Sequence, residues 1–164
     1  QAQILELLST LKTKNNMSVL LITHDLGVVA ENADVVAIMY AGRIVEFADV
    51  YELYANPLHP YTRGLLACVP RLSQTNQRLT TIPGMVPNAR NWPTGCRFEP
   101  RCTDCKDEAR TQCLSHLPIL RQINERHWVA TFSAPGYADA KFTLPGLPVR
   151  RNKTPATGRM GATD

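Results

Sequence analysis

Two places in the 164-residue sequence carry side chains suited to chemistry. The first is the pair His24–Asp25, which follows directly on the aliphatic run "SVLLIT". An imidazole can donate a hydrogen bond to a phosphate oxygen or orient a water. An aspartate at that point can cap a following helix. A run that is apolar on both faces reads as a strand inside a parallel sheet, and side chains at the C-terminal end of such a strand face the ligand crevice. The competing reading is a strand-end histidine satisfied by backbone groups, and for a single histidine without context that reading leads. The second place is "GCRFEPRCTDCKDEARTQC", which sets Cys96, Cys102, Cys105 and Cys113 in a C-x5-C-x2-C-x7-C pattern.

Five cysteines, an odd count, and no basic-then-apolar leader argue against a disulfide framework. Clustered thiolates bind iron–sulfur cubes, four to a cube, or zinc. Structural zinc sites favour two short pairs, and only Cys102 and Cys105 make one here. The irregular gaps therefore suit a [4Fe–4S] cube, with zinc and uncoordinated thiols as the alternatives. Arg97, Arg101, Lys106 and Arg110 would offset the negative charge. Bonds to a metal would cross-link a segment poor in core residues. Cys68, in the apolar "GLLACVP", reads as a core residue. His116 and His127 are reserve ligands, with surface placement the default expectation for both.

The apolar content of 44% is that of a soluble globular protein, and no apolar run approaches the ~18 residues of a membrane span. The net charge of +4 is mild and scattered, apart from Arg150, Arg151 and Lys153, which argues against a nucleic-acid partner. Without a leader the chain reads as cytoplasmic. Its start at Gln1 reads as that of a fragment.

The elements that must position these residues follow from periodicity. "QAQILELLSTLKTK" puts Ile4, Leu7, Leu8 and Leu11 on one helical face, ended by Asn15 and Asn16. "SVLLIT" is a strand, Asp25 opens a helix over "LGVVAENA", and "DVVAIMY" with "RIVEFA" forms a hairpin around Ala41–Gly42. Asp49 and Glu52 have the spacing of a capping box for "VYELYAN". Pro60 is placed as the first residue of a helix through "YTRGLLACV", with Pro70 as a stop. Residues 71–94 read as loop. "SHLPILRQINERHWVATF" supplies apolar residues to pack around the cysteines, and the chain after Tyr137 is low in apolar content and expected to be disordered. No internal repeat is present.

These words together resemble a known family. "QAQILELLSTL…SVLLITHDLGVVAENADVVAIMYAGRIVEF" is similar to the C-terminal part of ABC-transporter ATPase subunits. "NPLHPYTRGLL", "IPGMVPN" and "GCRFEPRC" resemble the extension found in peptide and nickel importer ATPases. The resemblance covers residues 1–137 and is strongest in the first seventy residues and around the cysteines. It implies an α/β fold: residues 1–56 as the C-terminal part of a P-loop NTPase domain, 57–137 as a Cys-rich, Pro-rich extension, and 138–164 as a tail. It implies that His24 is the switch histidine meeting the γ-phosphate of ATP, with Mg²⁺ held elsewhere. It further implies a [4Fe–4S] cluster on Cys96, Cys102, Cys105 and Cys113.

The partners implied are a second ATPase subunit, transmembrane permease subunits and, indirectly, an extracytoplasmic peptide-binding protein, at the cytoplasmic face of the inner membrane. The cysteine pattern departs from the family's. Ala109 stands where a third cysteine is usual and Thr131 where a fourth is. Cys105 is the apparent replacement and Cys113 the displaced third ligand. The sequence contains no G-x-x-x-x-G-K-[ST] loop, signature motif or acidic strand, so the chain alone is expected neither to bind nor to hydrolyse ATP. A nickel-importer ATPase and a non-enzymatic, metal-binding interaction module or remnant are the alternative readings.

Overall fold

The computed structural model describes residues 2–69 and 81–145; Pro70, the start of the 71–94 loop and the chain from 146 onward lie outside them. The elements are α1 (Ala2–Lys14), α2 (Leu26–Asn32), β1 (Val35–Tyr40), β2 (Arg43–Asp49), α3 (Val50–Ala55) and α4 (Pro60–Ala67). A 3₁₀ turn (Glu99–Arg101), α5 (Asp107–Ser115), β3 (Arg121–Asn124) and β4 (His127–Val129) follow. The strands make one sheet in the order β1-β2-β4-β3, antiparallel throughout.

The first strand expected from the sequence is absent. "SVLLIT" is not a strand, and the described sheet has no parallel pair. Leu20 and Ile22 are 87% and 89% exposed, while Val19 and Leu21 on the other face are 42% and 38% exposed. A strand apolar on both faces holds its form only between neighbours that pair its backbone and cover its side chains. The described residues supply no such neighbours. Helix α1 shows the same lack of cover: Ile4 and Leu7 lie exposed, and none of its residues is buried.

The hairpin forms as its sequence dictates. Ala41 and Gly42 both take positive φ, 48° and 77°, as a tight two-residue hairpin turn requires. On β1 the alternate residues Val36, Ile38 and Tyr40 are buried. They join Val45, Val50, Leu53 and Phe98 in the main core. Tyr40 packs on Tyr61 and edge-on to Phe98, with ring centroids 4.7 and 5.1 Å away. Strand β2 then pairs with β4, Glu46 opposite Val129 and Ala48 opposite His127. One sheet thus joins residues on both sides of Pro57.

The capping signals resolve unevenly. Asp25 accepts from Gly27 and Val28 N–H at 2.9 and 3.1 Å and caps α2. Asp49 accepts from Tyr51 N–H at 3.0 Å. Glu52 does not close a capping box, because Asp49 N–H donates instead to the Arg126 carbonyl. Glu52 accepts from Asn124 Nδ2 at 3.1 Å. Pro60 opens α4 as expected, and His59 Nδ1 caps it by accepting from Tyr61 N–H at 3.0 Å. Cys68 is the half-buried C-cap of α4 rather than a core residue. Residues 138–145, expected to belong to a disordered tail, are tied to the sheet. Arg121 Nη1 donates to the carbonyls of Ala138 and Ala140, and Trp128 Nε1 donates to Thr143 Oγ1 at 3.0 Å.

Glu46 is a carboxylate with no exposed surface in the middle of β2. It accepts from Leu58 N–H at 2.7 Å, His59 N–H at 3.0 Å and His127 Nε2 at 2.6 Å. Burial raises its pKa, but His127 and the two backbone amides outweigh burial, and the net value lies below the usual carboxylate range. His127, a reserve ligand by sequence and expected at the surface, is fully buried and held by this bond. His116 is exposed, at the C-terminal end of α5.

Glu46→Gln should destabilise the chain by about 2 kcal/mol, the cost of weakening hydrogen bonds to a buried charged carboxylate and leaving a buried partner unpaired, as measured by urea unfolding. Burial depresses the His59 pKa to about 4. The unfolded chain therefore binds a proton at His59 before the folded one does, and folding stability should fall as pH drops from about 6.5 towards 4. Urea midpoints measured across that range should decline, and less steeply in His59→Asn, which keeps a capping oxygen.

Candidate functional site

The cysteines of the C-x5-C-x2-C-x7-C stretch converge, although no long regular element carries them. Cys96 N–H donates to the Cys113 carbonyl at 2.7 Å, which lays the start of the segment against the last turn of α5. Gly95 makes this approach feasible: a Cβ there would lie 2.1 Å from the Cys113 oxygen. The 3₁₀ turn Glu99–Arg101 reverses the chain, and Cys102 ends it with its N–H on the Glu99 carbonyl. Cys105 lies just ahead of α5, which carries Cys113. Cys96, Cys105 and Cys113 are buried and Cys102 is half-buried.

The four thiols form a hydrogen-bonded chain in the order Cys102, Cys105, Cys113, Cys96. The Sγ atoms of Cys105 and Cys113 are 2.7 Å apart. Hydrogen bonds from Cys102 and Cys113 pull the Cys105 pKa down, and the nearby His59 and Arg110 add to this. The bond to Cys113 lowers Cys96. Cys102 and Cys113 are pushed up, chiefly by their bonds to Cys105.

In donor type and number this set suits a metal. In spacing it does not form a cage. Tetrahedral zinc with Zn–S near 2.3 Å sets its sulfurs about 3.8 Å apart, so Cys105 and Cys113 would have to part by about 1 Å. An iron–sulfur cube, with its own irons and sulfides between the thiolates, asks for more. Among the described residues no group of three or more His, Cys, Asp or Glu is arranged to hold a metal ion. The sequence expectation of a [4Fe–4S] or zinc site therefore finds a convergent ligand set but no preformed cavity.

Two of the arginines expected to balance cluster charge serve the scaffold. Arg101 donates to the Pro83 and Ile82 carbonyls at 2.8 and 2.9 Å and ties "IPG" to the turn before Cys102. Arg97 donates to the Ala41 carbonyl at 2.5 Å and stacks on Trp92. Arg110 lies 3.6 Å from Glu99 and Lys106 is exposed. Thr131 is buried, its hydroxyl 3.0 Å from that of Ser133, and Ala109 is a half-buried position of α5.

His24 is exposed, in a bend between the "SVLLIT" stretch and α2. Asp25 N–H is held by Thr23 Oγ1 at 3.0 Å, so the bend itself is braced. The structure does not bring His24 and the cysteines into one site. Sequence reasoning missed Glu46 and His59, which together with His127 hold the sheet to the segment after Pro57. The only trace of Glu46 in the sequence is a lone acid inside the "RIVEFA" strand.

The comparisons with known proteins fit this arrangement. Residues 45–109 match the family described as the oligopeptide/dipeptide transporter, C-terminal region. A Brucella ovis relative bearing the name of a peptide import ATP-binding protein is 47% identical over 133 residues, 77% of this chain and 38% of its own length. A Brucella melitensis relative with the same kind of name is 48% identical over 120 residues, 73% of this chain and 35% of its own. The class so defined is that of the ATP-binding subunits of ABC importers. Within it the chain belongs to the peptide-importer family and contains that family's C-terminal region. It spans less than two fifths of the length of these relatives.

Gly95→Ala should force Cys96 away from α5, because the new methyl meets backbone atoms on a helix that cannot yield cheaply. The expected result is a loss of about 1–3 kcal/mol in unfolding free energy, together with faster alkylation of Cys96 and Cys113 by a maleimide.

Proposed function

We propose that this chain is the histidine-bearing, C-terminal part of the ATP-binding subunit that powers peptide import. The observation that carries the reading is the aliphatic stretch ending at His24. Its side chains are exposed while its composition is that of a buried strand, as suits a sheet completed by other parts of the same subunit. A strand placed there presents His24 at its C-terminal end, where open α/β sheets bind their ligands. His24 is the residue of this chain that would meet the γ-phosphate of ATP, with Mg²⁺ and the remaining phosphate contacts supplied elsewhere. Phosphoryl transfer depends on many positioned groups at once, so this chain alone should neither bind nor turn over ATP.

The partners of this reading are a second ATP-binding subunit, membrane permease subunits and, through them, an external peptide-binding protein. No helix among the described residues is long and apolar enough to cross a membrane. The place proposed is the cytoplasmic face of the membrane, held there by the permease.

Cys96, Cys102, Cys105 and Cys113 are the ligands proposed for a [4Fe–4S] cluster, which would cross-link the segment between the 3₁₀ turn and α5. The support is the gathering of the cysteines, with Cys105 and Cys113 in sulfur contact and Cys96 N–H on the Cys113 carbonyl. Taking up the cluster requires Cys105 and Cys113 to separate.

In the complete subunit assembled with its permease, His24→Ala should lower ATP turnover about a hundredfold or more, the usual cost of losing one preorganised transition-state contact, while nucleotide binding persists. Turnover unchanged by the substitution would remove His24 from the mechanism. Anaerobically purified chain should contain about four irons and four sulfides with broad visible absorption. Stoichiometric zinc without iron would replace the cube by a single ion, and neither metal would end the metal reading.

A further inference from the structure

We propose that Cys105 and Cys113 are a disulfide-forming pair: in the metal-free chain they are a site of oxidation by hydroperoxides. Their Sγ atoms lie 2.7 Å apart, and a disulfide bond is about 2.05 Å long, so closure needs a movement of about 0.7 Å. Both ends are already fixed. Cys113 is 1% exposed in α5, with its carbonyl held by Cys96 N–H. Cys105 is 7% exposed and adjoins Asp104, which is ion-paired with Arg63 of α4. Little conformational freedom remains to be lost when the bond forms.

The less buried sulfur, that of Cys105, attacks one oxygen of the peroxide. The O–O bond breaks, and the departing hydroxide takes up the Cys105 thiol proton and leaves as water, giving a sulfenic acid on Cys105. The Cys113 sulfur then attacks the Cys105 sulfur. The S–O bond breaks and water departs, carrying the oxygen and the Cys113 proton. Two thiols and one hydrogen peroxide thus become one disulfide and two waters, and the two electrons given up by sulfur reduce the O–O bond.

The disulfide itself does not depend on the cluster reading. Its consequence for metal does rest on that reading: the bond takes two of the four donors, so an oxidised chain cannot accept the cluster and a loaded chain is protected from closure.

The test uses the full chain, stripped of metal by a chelator, reduced and desalted without air. It is then treated with one equivalent of hydrogen peroxide, blocked with N-ethylmaleimide and digested with trypsin. Cleavage after Arg90, Arg97, Arg101, Lys106, Arg110 and Arg121 places Cys105 in peptide 102–106 and Cys113 in peptide 111–121, with Cys96 apart in 91–97. The expected product is peptide 102–106 joined to 111–121, two hydrogens lighter than their sum. Peptide 91–97 and the other cysteine of 102–106 should both be alkylated. The link should survive Cys102→Ser and vanish in Cys105→Ser. All four thiols alkylated after peroxide, a bond inside 102–106, or a bond to Cys96 would each overturn the proposal. The wild-type peptide map is the primary readout, so a variant that fails to fold does not obscure it. Because the protein is metal-free, an absent cluster in the iron and sulfide analysis leaves this result untouched.

Discussion

The buried bond between Glu46 and His127 is the constraint on which the described structure turns. An ionised carboxylate has no place in a protein interior unless its lone pairs are satisfied. Here two backbone amides from the start of α4 and one imidazole from β4 fill that need. Three separate pieces of chain therefore meet at one side chain: the hairpin, the Leu58–His59 entry to α4 and the last strand. Glu46 and His127 lie 81 positions apart. A buried pair of this kind is weak evidence for net stability, since apolar residues of the same shape could pack as well. Its value is in register: the carboxylate oxygens of Glu46 are satisfied only when the Leu58–His59 amides and His127 Nε2 meet them together.

That register places everything after Pro57. His59 accepts on Nδ1 to cap α4, which commits its ring to the neutral form, in keeping with a pKa depressed by burial. Arg126 pairs with Asp49 at 2.6 Å and lends its carbonyl to Asp49 N–H, so the turn before β4 is locked to the end of β2. Against the same core, Phe98 packs on Tyr40, Tyr61 and His59. Phe98 sits between Cys96 and Cys102, so the packing that stabilises the sheet also gathers the thiols. The cysteine site is a consequence of core packing as much as of its own loop.

The N-terminal quarter obeys different rules. Asp25 braces α2 and β1 is fully paired to β2, yet the aliphatic stretch between α1 and His24 gains nothing from them. Its side chains need cover on both faces, and the described residues cover Val19 and Leu21 in part but leave Leu20 and Ile22 almost wholly exposed. A well-formed hairpin thus lies a few residues after an aliphatic stretch whose Leu20 and Ile22 stand almost wholly exposed.

Much of this was legible in the residues. The positions of α1, α2, the hairpin, α3 and α4 follow from periodicity, caps and the Ala41–Gly42 turn, because those signals act within a few residues of chain. The family follows from contiguous words such as "NPLHPYTRGLL" and "GCRFEPRC". The convergence of Cys96, Cys102, Cys105 and Cys113 follows from type and spacing. Three outcomes were decided only by tertiary structure. Strand β4 and its pairing to β2 rest on contacts some eighty residues apart, which no local pattern encodes. Glu46 in "RIVEFA" carries no signal of its own and His127 in "ERHWV" reads as a surface residue until the fold makes each the other's partner. "SVLLIT" has the composition of a strand, but a strand exists only where another backbone accepts its hydrogen bonds, and local sequence cannot supply that neighbour.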